Sequence, residues 1–244
     1  SEGIYQFKNE VIQALTNIVN VKGLYEKKRF ASQGTYMEDD DFISGEKAPE
    51  PLLVKENDMN FAVYLNDGAM VGIFLDQRDV RKTIRDSYSQ GKNVLNTFSY
   101  TGAFSVAAAL GGAIKTTSVD LANRSKSKTI EQFSVNAIDY EAQDIIVEDV
   151  FHYFKYAVRK KLTFDLVILD PPSFARSKKH TFSAGSNCST FGMAKFKGFI
   201  EKAFKQTGGS FVIREEFSLP NDFKTINEYK EGDYLKVVFI EKLS

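Results

Sequence analysis

From Val80 to Asp170 the chain alternates between two kinds of segment, and that alternation admits few folds. Helix-spaced stretches (VRKTIRDSY, AFSVAAALGG, SKTIEQFSVNAI, VFHYFKYAVRK) interleave with short apolar runs (NVLNTF, TTSVDLA, DIIVEDV, FDLVILD). Runs of this length, rich in β-branched residues, suit strands covered on both faces. A strand–helix–strand succession requires parallel strands joined by crossover helices, so the expectation is a doubly wound α/β domain. Such sheets bind ligands beyond the carboxyl ends of their strands.

The flanking segments follow other periods. Ile4, Phe7, Val11, Leu15 and Ile18 recur at helical spacing, and VKGLYEK has strand character. Residues 31–60 mix acids, glycine and prolines and read as a connector with one edge strand. NFAVYLNDGAMVGIFLD alternates around Asp67–Gly68, a hairpin signal. Near the C-terminus AKFKGFIEKAF reads as an amphipathic helix with Phe196, Phe199, Ile200 and Phe204 inward. GSFVIREEF and YLKVVFIEKL read as closing antiparallel strands, with LPNDFKT between them.

The four strand ends carry the chemistry. The first runs into SYTGAF, whose Gly102 opens a helix with backbone N–H groups available to an anionic group. The second ends at Asp120, which can accept from two ribose hydroxyls. The third offers Asp149, suited to an exocyclic amine such as that of adenine, and the fourth ends at Asp170. Taken singly, Gly102 could be an ordinary turn, and Asp120 or Asp149 a helix N-cap. Taken together, on successive strands, they point to an adenosine-containing cofactor. A dinucleotide site would show G-x-G-x-x-G, which SYTGAF lacks, so an NAD-dependent dehydrogenase is disfavoured. S-adenosylmethionine, which has no pyrophosphate, tolerates the missing glycines.

Composition narrows the setting. Net charge is zero over 244 residues, so a polyanion would have to be met by a local patch. RKK at 159–161 and ARSKKH at 175–180 are such clusters, though charge runs are as often solvated faces. One cysteine excludes an intramolecular disulfide framework and suits a reducing cytosol. With no run near the ~20 apolar residues of a membrane helix and no signal-peptide core, a cytoplasmic protein without membrane contact is expected. His152 and His180 lack metal-ligand spacing, so no metal is expected. Oligomeric state stays open, a homodimer included.

At these residues the chain resembles the class I S-adenosylmethionine-dependent methyltransferases. Within them it is most similar to the bacterial 23S ribosomal RNA methyltransferases forming 5-methylcytosine and their 7-methylguanosine-forming relatives. The matching pieces are GIFLDQRDVR, VLNTFSYTGAFSVAAALGGA, SVDLANRS, EDVF, DPPSF and SNCS. The resemblance implies a Rossmann-like domain over 54–244, mostly parallel with an antiparallel closing strand. Residues 1–53 would be the tail of a small α+β domain with a connector. The family's usual N-terminal RNA-binding module is not among these residues.

The resemblance also assigns roles. Asp76, Gln77 and Arg78 would close over the methionine end of S-adenosylmethionine, and Phe98, Ser99, Tyr100, Thr101, Gly102 and Phe104 would form the first cofactor loop. Asp120 with Leu121 would hold the ribose, and Asp149 with Val150 the adenine. Asp170 would lie between cofactor and base, with Asp170 or the Pro171 carbonyl on the base edge and Phe174 stacking on it. The prolines of DPPSF stiffen that loop. A base inside a duplex is out of reach, so the target RNA base would be single-stranded or flipped out.

Cys188 in SNCS would be the nucleophile of cytosine-C5 methylation. Apart from the resemblance, a lone cysteine is more often buried and inert. With an inert Cys188 the better reading is an N-methyltransferase of RNA or a small molecule, forming 7-methylguanosine or methylating an exocyclic amine. A non-catalytic RNA-binding module is the third class. One departure stands out: only ARSKKHTFSAG separates DPPSF from SNCS, too short for the helix and fifth strand expected there. Either the element is lost, or the sequence joins two pieces across a gap near Ala184–Gly185; the gap is favoured, because the cysteine segment needs a strand to present it.

Overall fold

The computed structural model describes residues 2–27, 42–66, 71–171, 174–176, 181–183, 192–223 and 232–243. These fall into two compact units, Ser1–Ile73 and Phe74–Ser244.

The first unit opens with two helices, α1 (Glu2–Tyr5) and α2 (Lys8–Ile18). The helical spacing is realised, but α2 buries none of its residues, and Ile18 is 81% exposed. Strand β1 (Gly23–Tyr25) pairs antiparallel with β2 (Phe42–Gly45), and Tyr25 meets Phe42 edge-on. Strands β3 (Leu52–Glu56) and β4 (Met59–Val63) form a hairpin around Asn57–Asp58, with φ of 47° and 63°. Both turn residues need left-handed backbone, which Asn and Asp tolerate best after glycine. The stretch 31–60, read from sequence as a connector with one edge strand, thus holds two strands, β2 and β3, and NFAVY returns on β3. The turn expected at Asp67–Gly68 lies outside the described residues; beside it, Tyr64 N–H donates to the Val71 carbonyl at 2.9 Å.

In the second unit a 3-10 turn, Leu75–Gln77, leads into α3 (Arg78–Thr83) and a π-helical turn, Ile84–Tyr88. Then come β5 (Asn93–Thr97), α4 (Ala103–Leu110), β6 (Lys115–Asp120), α5 (Asn123–Ser134), β7 (Asp144–Val147), α6 (Val150–Lys160) and β8 (Leu166–Leu169). The strands form one parallel sheet in the order β7-β6-β5-β8, as the alternation requires. Helix α5 was expected over 127–138; it begins four residues earlier, and the left-handed Ala137 (φ 55°) lies just beyond its end.

Burial follows position in the sheet. Central β5 and β6 are buried along most of their length, while the outer strands β7 and β8 are only partly covered. On one face Leu95, Val119, Val150, Tyr153 and Ala157 pack together with Phe98, Ile146, Phe154 and Phe164. Three buried polar side chains join β5, α4 and β6. Asn96 donates to Ser105 Oγ at 2.9 Å, and Ser105 lies 2.7 Å from Ser118 Oγ. A buried hydroxyl without partners is costly, so this chain of bonds fixes how α4 sits on the sheet.

Beyond β8, strand β9 (Phe174–Arg176) pairs with β10 (Thr181–Ser183). Helix α7 (Met193–Thr207) precedes the antiparallel pair β11 (Ser210–Phe217) and β12 (Val237–Leu243). Phe204 stacks near Phe211 at 4.3 Å, and Phe196 and Ile200 are half-buried. Phe199, expected inward, is 51% exposed, and α7 has no fully buried residue. The closing strands pair with each other as expected, but among the described residues they do not join the parallel sheet. The outer edge of β8 is therefore open there, with Val167 and Leu169 exposed.

Ser105→Ala should strand Asn96 and Ser118 without their shared partner. Urea unfolding should report a loss of about 1–3 kcal/mol with an unchanged denaturant slope.

Candidate active site

Parallel register brings the four strand ends to one edge. Thr97 pairs with Val119 on one side and Leu169 on the other, and Asp120 pairs with Val147. The next residues, Phe98 and Asp170, therefore leave the sheet beside Asp120. With strands ~4.8 Å apart, Asp120 and Asp170 stand about 10 Å apart across β5.

The loop after β5 is built for close approach. Phe98 and Tyr100 take left-handed backbone (φ 54° and 52°), and so does Gly102 (φ 79°). A Cβ at Gly102 would lie 2.6 Å from Thr129 Cγ2, so only glycine lets the loop pass α5 and start α4. Ser99 N–H donates to the Val119 carbonyl at 3.1 Å, and Gly102 N–H to the Ser99 carbonyl at 2.7 Å. Ser99 and Thr101 are buried, Phe104 is half-buried, and the Tyr100 ring lies 5.7 Å from that of Phe74.

Asp120 ties this loop to its own strand. Its Oδ2 accepts from Tyr100 N–H and its Oδ1 from Ala122 N–H, both at 2.9 Å. Each oxygen keeps a second lone pair for a ligand hydroxyl. Asp149 caps α6, accepting at Oδ1 from Phe151 N–H (3.0 Å) and His152 N–H (3.1 Å). The N-cap reading is thus realised at Asp149. Between them lie exposed Leu121 and buried Val150, with Phe151 half-exposed and 6.4 Å from Phe98. Val150 belongs to the core packed on this face of the sheet, so of these side chains Leu121 and Phe151 are the exposed ones.

On the other side of β5 lies the LDQR segment. Asp76 is 8% exposed and accepts from the Tyr234 hydroxyl at 2.8 Å. Gln77 Nε2 donates to Asp170 Oδ2 at 2.8 Å. Arg78 makes a two-pronged pair with Asp222, one prong at 2.8 Å, and faces the Phe223 ring at 5.9 Å. Arg81, only 1% exposed, donates to the Phe74 carbonyl at 2.7 Å and faces Phe104 at 5.9 Å.

Asp170 is exposed at the strand end, yet protein surrounds its carboxyl closely enough to perturb it. Lost hydration is the main cause that holds it above the usual carboxylate range, and nearby Asp76 adds to the rise. The Gln77 hydrogen bond and Arg81 oppose this without cancelling it.

The structure thus brings together Asp76, Gln77, Arg78, the 98–104 loop, Asp120, Leu121, Asp149, Val150 and Asp170 on the carboxyl edge of one sheet, with Pro171 next in the chain and exposed. Phe174 is described only as the first residue of β9. Cys188 and the Ala184–Gly185 junction lie outside the described residues. Sequence reasoning missed Arg81, Phe151, Asp222 and Tyr234. Arg81 had a signal in the second arginine of FLDQRDVR; Asp222 and Tyr234 had none, being far from their partners in the chain. Among the described residues no cluster could hold a metal, and no helix is long and apolar enough to cross a membrane.

A family model described as S-adenosylmethionine-dependent methyltransferase matches residues 15–184. YwbD of Bacillus subtilis (strain 168), provisionally named a ribosomal RNA large subunit methyltransferase, is 59% identical over 99% of this chain and 67% of its own. Ribosomal RNA large subunit methyltransferase I of Aeromonas salmonicida (strain A449) is 30% identical, over 95% of this chain and 65% of its own. SMU.776, provisionally described as a methyltransferase and crystallised with SAH, superposes with a TM-score of 0.87 at 39% identity, covering 98% of this chain and 67% of its own. The chain spans about two thirds of the length of these relatives. The alignment with the B. subtilis protein runs over 266 positions, more than the 244 residues here, so at least 22 have no counterpart in this chain. The family match ends at residue 184, where the sequence suggested a join.

Because the folded carboxyl of Asp170 is raised above its unfolded value, ionising it costs the folded state. That cost is present at neutral pH and vanishes below the unfolded carboxylate range, about pH 4. Asp170→Asn should therefore melt above the parent protein at pH 7, with the gain narrowing as pH falls toward about 4. A variant equally destabilised at every pH would contradict this.

Proposed function

The chain belongs to the S-adenosylmethionine-dependent methyltransferase family, and from that premise we propose that it methylates C5 of a cytosine in large-subunit ribosomal RNA. The observation that carries the reading is the row of strand ends on one edge, where Asp76, Asp120, Asp149 and Asp170 surround the 98–104 loop. Their chemistry fits the donor: carboxylates suit its ammonium, ribose hydroxyls and adenine amine, and the Gly102 turn admits it closely. The family's donor, when bound, supplies an electrophilic sulfonium methyl group. Residues 54–244 are the methyltransferase domain in this reading, and 1–53 the tail of a smaller one.

The target base meets the loop that Asp170 and Pro171 begin, with Phe174 as its stacking partner. Asp170 stands at the base edge, where its carboxyl can pass a proton to cytosine N3. Withdrawing charge from the ring there favours addition of the Cys188 thiolate at C6. That addition places electron density on C5, which takes the methyl as its bond to the sulfonium sulfur breaks and leaves a neutral thioether. Loss of the C5 proton to a base then restores the double bond and expels the thiolate, so the cysteine is regenerated.

The test has two arms. Calorimetry should show S-adenosylhomocysteine binding, with Asp120→Ala losing about tenfold or more in affinity. With ribosomal RNA and labelled S-adenosylmethionine, mass mapping should find 5-methylcytidine, and Cys188→Ala should abolish it while leaving donor binding intact. A Cys188→Ala protein with full activity, or a methyl group on nitrogen, would replace this reading with the N-methyltransferase. RNA binding with no donor binding would leave a non-catalytic module.

A further inference from the structure

The LDQR segment is gripped from the far end of the chain. Tyr234, 158 residues from Asp76, donates to its Oδ2 at 2.8 Å, and Asp222, 144 residues from Arg78, pairs with its guanidinium. Both come from the stretch between β11 and β12, one from each end of it.

The Tyr234 ring is 45% exposed, so core packing does not account for a tyrosine there. What remains is the hydroxyl and the buried carboxylate it meets. Lost hydration first, and then the Asp76 carboxylate, push the phenol up to about 12, so it stays a donor across the physiological range. Gln77, the next residue, carries the 2.8 Å bond to Asp170. One short turn therefore sets the direction of both the Asp76 and the Asp170 carboxylates.

We propose that Tyr234 is a positioning residue for the methyl donor: its hydroxyl holds Asp76 in one orientation, with Oδ2 engaged and Oδ1 turned to the α-ammonium of the donor's methionine end. A short carboxylate can rotate about its side chain, and a bound ammonium gains only from the orientation that faces it. A single bond from a stiff phenol removes that freedom before the ligand arrives. Phenylalanine would keep the ring and lose the effect. The inference rests on the reading of Asp76 as the partner of the donor's ammonium.

Calorimetry with S-adenosylhomocysteine on four proteins tests it: the parent, Tyr234→Phe, Asp76→Asn and the double variant. Tyr234→Phe should melt close to the parent yet bind about tenfold more weakly, a usual loss for a hydrogen bond to a charged group. In the Asp76→Asn background the same Tyr234→Phe change should cost nothing further, because no ammonium partner is left to orient. Equal affinity of Tyr234→Phe and parent would overturn the proposal. So would an equal loss in both backgrounds, which would mark Tyr234 as structural only. A parent protein that binds no S-adenosylhomocysteine would overturn the reading of the site itself, a result distinct from both.

Discussion

Strand β5, buried along most of its length, takes its backbone partners from β6 on one side and β8 on the other. A buried parallel strand has nowhere else to place its N–H and C=O groups, so that pairing fixes three strand ends at one level. Asp120 and Asp170 reach opposite sides of the loop after Thr97 for this reason alone. The loop completes the arrangement: left-handed Tyr100 turns its N–H back toward Asp120, and Gly102 clears Thr129. The polar bonds among Asn96, Ser105 and Ser118 keep α4 behind that loop, so the site's rigidity derives from a fully covered part of the core.

The carboxylates at this edge hold the fold and offer a site at once. Asp149 caps a helix, and Asp120 takes two backbone N–H groups, while the proposed function has both meet the adenosyl group of the donor. Structural and functional accounts of such residues are not rivals. A carboxylate already fixed by backbone donors loses little freedom when a ligand hydroxyl joins it.

What the sequence discloses depends on how local the cause is. The β–α alternation from Asn93 to Leu169 was legible because each element writes its period into consecutive residues. The acids at strand ends were legible for the same reason. The hairpin of β3 and β4 went unread because Asn57–Asp58 is a weaker turn dipeptide than Asp67–Gly68, although the two strands meet around it. Phe199 shares the apolar spacing of α7, yet spacing does not say whether a neighbour covers that face. The bonds of Tyr234 to Asp76 and of Asp222 to Arg78 span most of the second unit, and no short window of sequence could hold such a pairing.

Among the described residues no strand pairs with the outer side of β8, which leaves its backbone groups on that side for a further strand to take. Natural sheets guard their rims with lysines, prolines or covering loops, since an unguarded rim is a template for any extended chain. Leu166–Leu169 carries no charge of its own, and an uninterrupted apolar run of this kind suits a strand paired on both sides.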